Sequence, residues 1–152
     1  MYTIVDINNA FEQIVTAHDQ LNSFHTSGLD TLDVDKLDVF RYPLLYAQCT
    51  DADLDSGYTT FTYELIVADL VIEKQDPVLT QVYSETFLIM QDVISQFYFA
   101  VNSASTVDGS WNIDLPLVCQ PFTARFTNLL TGWSCSLDIK LPNPLNLCDA
   151  PY

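Results

Sequence analysis

The sequence predicts an α+β fold, with two helices packed on an antiparallel sheet of two hairpins in the order α-β-β-α-β-β. Apolar residues recur at intervals of three and four near the N terminus and again after residue 76, which indicates helices. They alternate with polar residues on both sides of residue 55 and in the last third of the chain, which indicates strands. The 152 residues suffice for one domain with its own core. We expect residues 1–141 to form that domain and residues 142–152 to form a proline-rich C-terminal arm.

The first predicted helix follows an apolar stripe that starts at Ile4 and reaches Phe24. Thr3 and Asp6 have the spacing of a capping box, and Gly28 suits the helix exit. His18 lies on the stripe, and seven residues separate it from His25, which the helical period places on nearly the same face. A metal pair requires closer spacing, and no nucleophile accompanies either ring, so we interpret His18 as an interior or interface histidine.

The segment DADLDSGYTTFT, residues 51–62, begins like a calcium-binding loop with aspartates at alternate positions. Such a loop needs glycine at its sixth position and glutamate at its twelfth, where this chain has Ser56 and Thr62. The flanking segments are rich in aromatic and β-branched residues and read as strands. The sequence therefore predicts an acidic hairpin turn over residues 51–57, and no metal site.

The strand after this turn carries apolar residues on both faces of its second half. Tyr63, Leu65 and Val67 share one face, while Ile66 and Ala68 share the other. We expect a central strand that is covered on both sides. Three carboxylates lie along it, and alternation places the first on the face opposite the other two, so they do not form a catalytic dyad: Glu64, Asp69 and Glu73.

The second predicted helix begins at Asp76, a natural N-cap, and Pro77, a natural first residue. Its inner stripe and most of its other sides are apolar, which predicts burial by the sheet and by a second surface, for which another subunit is a candidate. The inner stripe comprises Leu79, Tyr83, Thr86, Met90, Val93 and Phe97.

The C-terminal third alternates as β-structure. We expect a short strand over residues 111–115, a strand at 122–127, and a half-buried strand at 133–141 after the Thr131–Gly132 turn. Three prolines in LPNPLNLCDAPY prevent ordinary pairing, so this end is predicted to be the extended arm.

Composition excludes several classes of function. Twenty acidic residues against five basic ones give a formal net charge of −15, which excludes a basic patch for phosphate backbones. The acid surplus suits a saline host or a surface that repels anions. No apolar run spans a bilayer, no signal peptide is apparent, and the four cysteines form no CxxC pair. Because no catalytic motif is present, we expect no enzyme activity and no cofactor. Since no signal peptide is apparent, we expect folding in a cytoplasm.

Three stretches, covering about half the chain, carry a resemblance to the tail-terminator and neck (head–tail connector) proteins of tailed bacteriophages. The stretches are FRYPLLYAQ, LIVADLVIEKQDPVLTQVYSETFLIMQDVISQF and PFTARFTNLLTGWSCSLDIKLPNPLNLC. The resemblance implies a structural virion protein of the tail or neck, assembled in the host cytoplasm as a ring of six or twelve subunits. Its partners would be copies of itself and the tail-tube, connector or portal-associated proteins. The genome would pass through the ring without specific binding, and no membrane would be involved.

Two sets of residues are candidates for these contacts. The acidic loops are expected to line the passage for DNA, or otherwise to face bulk solvent: Asp30, Asp33, Asp35, Asp38, Asp51, Asp53 and Asp55. The arm is expected to contact a neighbouring subunit or another virion protein through its large side chains: Leu145, Leu147 and Tyr152. The alternative functions are an acidic adaptor or inhibitor module that binds a basic protein, and a small enzyme of unfamiliar type.

Overall fold

The computed structural model describes residues 2–26, 42–70, 76–102, 111–125 and 130–143. These residues form two helices and six strands, which confirms the α+β class. The elements are α1 (Ile4–Ala17), β1 (Ser23–His25), β2 (Leu44–Leu54), β3 (Thr59–Leu70), α2 (Asp76–Asn102), β4 (Asn112–Ile113), β5 (Cys119–Arg125) and β6 (Leu130–Leu141).

The sheet is mixed and mostly antiparallel. Its order is β1-β2-β3-β6, and β4 and β5 both pair with the remaining edge of β6. Only β1, which lies beside β2, is parallel to its neighbour. The last strand of the described residues, β6, therefore lies inside the sheet, paired with β3 from Leu130 to Leu141.

The first helix begins as predicted and ends earlier. The backbone N–H of Thr3 donates to Asp6 Oδ2 at 2.6 Å, as a capping box requires. At His18 the backbone is extended, with φ −89° and ψ 127°, so the helix stops at Ala17. The predicted continuation to Phe24 is wrong, because Phe24 lies in β1. The helical spacing of apolar residues continues beyond Ala17 because Leu21 buries its side chain in the same core as α1.

One face of the sheet is covered by both helices. Phe11 of α1 stacks on Phe97 of α2 with ring centroids 4.5 Å apart. Beneath them Tyr63 of β3 is fully buried and donates its hydroxyl to Asn8 Oδ1 at 2.8 Å. A buried hydroxyl without a partner would cost free energy, so this bond lets a tyrosine occupy the centre of the core.

The opposite face has an apolar half and a polar half. A second buried cluster lies at the end near β1, which confirms that the later part of β3 is buried on both sides: Leu44, Tyr46, Ile66, Ala68 and Leu130. Towards the β2–β3 turn this face carries polar side chains instead. Only the apolar half of this face, at the end near β1, therefore contributes to the core.

The second helix buries four of the six residues of the predicted stripe, while Leu79 and Tyr83 are partly exposed. Thr86, Met90, Val93 and Phe97 are buried against the sheet and α1. On the outward side Phe87 is 41%, Leu88 58% and Phe99 68% exposed. Neither helix of the described ranges is long and apolar enough to cross a membrane.

Candidate functional site

The acidic hairpin is shorter at its turn than the sequence predicts. β2 continues to Leu54, so Asp51 and Asp53 lie in the strand, and the turn covers only residues 55–58. The Asp55 backbone N–H donates to the Tyr58 carbonyl at 2.9 Å, and Asp55 Oδ1 accepts the Ser56 N–H at 2.6 Å. The β-branched and aromatic residues after Tyr58 favour pairing, which overrides the turn preference of the aspartates opposite them.

The register places the hairpin aspartates on the face that the helices do not cover. Asp51 lies opposite Thr62, and Asp53 lies opposite Thr60. Directly opposed residues project from the same face of an antiparallel pair. We call this surface the polar sheet face; it consists of Asp51, Asp53, Thr60, Thr62, Glu64, Ser136, Asp138 and Lys140.

The polar sheet face has an excess of negative charge. Thr62 donates its hydroxyl to Asp138 Oδ1 at 2.7 Å, across the β3–β6 pair. The only cation of this face, Lys140, lies with Nζ 5.6 Å from the ring centroid of Tyr58. Within the described part of the chain no ion pair joins Asp51, Asp53 or Asp138 to a basic group. These three carboxylates therefore carry their negative charge on a solvent-exposed surface.

The strand geometry does not gather these carboxylates around an ion. The Cα atoms of alternate strand residues are roughly 7 Å apart along a line, whereas the ligands of a calcium loop are arranged around one point. Among the described residues no group of three or more His, Cys, Asp or Glu side chains is arranged to hold a metal. The arrangement repels anions and accepts hydrogen bonds.

A second candidate surface lies on the other side of the molecule. Trp133 of β6 donates its indole N–H to the Tyr83 carbonyl at 2.8 Å, and its ring meets Phe87 edge-on at 5.1 Å. These rings line a shallow groove of about 320 Å³ between α2 and β6. We call it the aromatic groove, formed by Thr80, Tyr83, Ser84, Phe87 and Trp133.

The outer edge of β2 offers a third contact. β1 pairs with β2 only from Leu44 to Tyr46. In the described ranges no strand pairs with the rest of that edge, from Ala47 to Leu54. Such an edge presents backbone donors and acceptors to a partner strand, and Asp51 and Asp53 discourage uncontrolled pairing there.

Other predicted residues take different positions. His18 and His25 do not share a helix face, because His18 follows α1 and His25 lies in β1. His18 accepts the Gln20 N–H at Nδ1, 3.1 Å away, and its Nε2 lies 3.3 Å from Asp92 Oδ2, so it joins the end of α1 to α2. The remaining predicted site residues lie outside the described ranges: Asp30, Asp33, Asp35, Asp38, Leu145, Leu147 and Tyr152.

No protein-family model matches the chain, and no curated protein matches it. The function therefore has to be inferred from the molecule itself. The aromatic groove was not predicted from the sequence, since Tyr83 and Trp133 belong to distant segments and meet only through the packing of α2 on β6. The exposed apolar positions of α2 were the one available signal, because a helix that is apolar on most sides needs cover beyond one sheet.

Proposed function

We propose that this chain is the subunit of a homo-oligomeric ring at the head–tail junction or tail end of a tailed bacteriophage, through which the genome passes. The observation that carries the proposal is the two-sided surface. The polar sheet face is acidic and points away from the helices, while the helix side of the molecule exposes apolar side chains of α2, among them Phe87, Leu88 and Phe99. A ring subunit needs both kinds of surface, one towards a passage and one towards its neighbours.

The acidic side suits a passage for DNA. Each basic contact to phosphate releases counterions and adds affinity, so a conduit that must not retain DNA has to avoid such contacts. The polar sheet face carries four carboxylates and one lysine, which makes that surface repulsive to the DNA backbone. The carboxylates belong to Asp51, Asp53, Glu64 and Asp138. At physiological salt the repulsion decays over roughly 8 Å, so only a surface close to the DNA has this effect.

The apolar side suits a second copy of the chain. Exposed apolar patches with a polar surround are typical of protein–protein contacts, and aromatic residues contribute most to them. Tyr83, Phe87 and Trp133 form such a patch on α2 and β6. A contact between this patch and a different surface of the next copy is heterologous, and it closes into a ring when the rotation permits.

The same carboxylates favour a second function, an acidic adaptor or inhibitor that binds a basic protein. Such a module would act as a single copy, and its aspartates would bind cations of the partner instead of repelling DNA. Self-assembly distinguishes the two functions, since the adaptor does not require a ring.

The test is a charge reversal on the hairpin with a matched control. Asp51→Lys with Asp53→Lys changes the proposed passage, and Asp55 is left in place because its carboxylate holds the turn. Glu12→Lys with Asp19→Lys makes the same change in net charge at two exposed positions on the helix side. Both proteins and the parent are examined by light scattering, by electron microscopy and by retention of short duplex DNA at low salt.

We expect rings in all three proteins and retention of DNA only by the hairpin variant, with a loss of retention as salt is raised. In phage particles the hairpin variant should slow ejection. A parent protein that stays monomeric at high concentration contradicts the ring. Rings that retain DNA equally in both variants contradict the acidic passage and leave the ring itself supported.

A further inference from the structure

Two of the cysteines meet across neighbouring strands. Cys119 of β5 lies directly opposite Cys135 of β6. Their thiols are close enough that each affects the pKa of the other. Cys135 is only 5% exposed, whereas Cys119 is partly accessible to solvent. The pair thus has one thiol that a reagent can reach and one that is shielded behind it.

Proline at position 121 identifies the type of this pair. Pro121 lies opposite Trp133 and has no N–H that could donate to β6. Its nitrogen therefore points to the side of β5 that faces away from β6. Pro121 and Trp133 therefore occupy a site without direct backbone hydrogen bonds. Pair types alternate with a period of two, so Cys119 and Cys135 occupy a site of the same type. Opposed Cα atoms are about 4.5 Å apart at such sites, within the range that a disulfide spans.

We propose that Cys119 and Cys135 are a reversible dithiol site that a small-molecule disulfide, such as oxidised glutathione, converts into a bond joining β5 to β6. The Cys119 thiolate attacks one sulfur of oxidised glutathione, which forms a mixed disulfide and releases one glutathione thiolate. Cys135 then attacks the Cys119 sulfur and displaces the second glutathione. The protein loses two electrons and two protons, and both electrons and both protons end on two glutathione thiols.

The environment assigns the order of the two attacks. Burial raises the pKa of the Cys119 thiol and raises that of Cys135 to about 12. Both thiols are thus mainly protonated at neutral pH, and the exchange is slow there. Cys119 reacts first because it is the more accessible of the two. Cys135 lies against it and serves as the resolving thiol.

Closing the bond has a structural consequence. β5 is the outer strand on this side of the described sheet, and the residues before it border a cleft of about 450 Å³ beside Glu64 and Ser136. A bond at Cys119 fixes the start of β5 against β6. It removes conformations from the unfolded chain by closing a loop of about 15 residues, a length for which cross-linking is strongly stabilising.

The lysines and arginines allow a direct experiment. Trypsin cleaves after Lys36, Arg41, Lys74, Arg125 and Lys140, so each cysteine falls in its own peptide. The parent protein is treated with oxidised glutathione at about pH 8.5, where more thiolate is present, and free thiols are then alkylated. We expect the peptide of residues 75–125 linked to that of residues 126–140, at least tenfold above any other pair. We also expect a rise in melting temperature of roughly 5–10 °C that dithiothreitol reverses.

Single variants separate the two roles. Cys135→Ser should leave glutathione on Cys119 with no internal bond, and Cys119→Ser should leave Cys135 reduced. Cys49→Ser is the control and should behave as the parent. Linkage of Cys135 to the peptide of Cys49 or Cys148, a mixed disulfide that persists in the parent, or the absence of oxidation would each overturn the proposal.

Discussion

Tyr2 and Asn143, which are 141 residues apart in the sequence, are joined by two reciprocal hydrogen bonds. The Tyr2 N–H donates to Asn143 Oδ1 at 2.9 Å, and the Asn143 side-chain amide donates to the Tyr2 carbonyl at 2.8 Å. The Tyr2 ring also meets Trp111 edge-on at 5.3 Å. The segment before α1 is thereby fixed to the segment after β6, and Asn143, the second residue of the predicted arm, takes part in the folded body.

This pair predicts different results for two truncations. A chain that ends at Asn143 keeps both hydrogen bonds and should retain the free energy of unfolding of the full chain. A chain that ends at Leu141 loses both, which should cost about 1–2 kcal/mol. Urea unfolding followed by circular dichroism measures both values. If residues 144–152 contact a neighbouring copy, the chain ending at Asn143 should also assemble poorly. Unfolding of that chain, instead of loss of assembly, would contradict the prediction.

Gly132 should tolerate no side chain. A Cβ atom there would lie 1.9 Å from the Val67 carbonyl oxygen, which belongs to the backbone of β3 and cannot move without breaking the sheet. Gly132→Ala should therefore lower the free energy of unfolding by about 3 kcal/mol or more. Gly57 is the matched control, because a Cβ atom there meets nothing within 4 Å. Gly57→Ala should change stability by no more than about 0.5 kcal/mol. Equal melting temperatures of the two variants would contradict this account.

Much of the core was predictable from the sequence, because periodicity records burial. The alternation along β3 and β6 and the stripe of α2 all indicate which side chains lie inside. The end of α1 was not predictable in this way. Leu21 and Phe24 continue the helical spacing although they lie beyond the helix, since a turn and a short strand return them to the same core.

The candidate site was less predictable than the core, because it depends on register. The sequence identifies Asp51 and Asp53 as exposed acids, but only their pairing with Thr62 and Thr60 places them on the face away from the helices. The pairing of Cys119 with Cys135 also depends on strand register, so the sequence did not reveal it. Spacing along one chain does not state which residues of two strands lie opposite each other.

Asp69 should make stability depend on pH. Burial raises the pKa of this carboxyl, and nearby Glu85 raises it further, although the Leu70 N–H donates to Oδ1 at 2.8 Å. The folded state therefore holds a proton that the unfolded state has released between pH 3.8 and the raised pKa. The free energy of unfolding falls as pH rises through that window, and the loss remains at higher pH.

Asp69→Asn removes this titration and retains an acceptor for Leu70. The variant should exceed the parent in stability above the window, by no more than about 1 kcal/mol because the group is partly solvated, and the gain should vanish towards pH 3. Chemical unfolding from pH 3 to pH 7 measures the difference. Asp53→Asn makes the same change in charge at an exposed strand position and is the control. A gain that does not depend on pH would exclude the buried charge as its cause.

Phe87 and Leu88 provide a test of the aromatic groove. Both side chains are exposed on α2, but only Phe87 contacts Trp133 and lines the groove. Phe87→Ser should leave the circular dichroism spectrum of the subunit unchanged and weaken self-association at least tenfold. Leu88→Ser removes an apolar side chain of similar exposure and should have a smaller effect. Sedimentation at several concentrations measures both. An equal loss of association in the two variants would assign the contact to the whole helix instead of the groove.

The interior position of β6 also bears on when the chain can fold during synthesis. Leu137, Ile139 and Leu141 fill the middle of the core, and β3 reaches the β4–β5 edge only through this strand. Until residue 141 has emerged from the ribosome, the nascent chain presents the helices and the β2–β3 hairpin with the apolar sides of both uncovered. Such contacts, distant in sequence, form late and leave partly made chains prone to aggregation. Stalled chains that lack β6 should therefore bind chaperones, and release of the complete strand should end that binding.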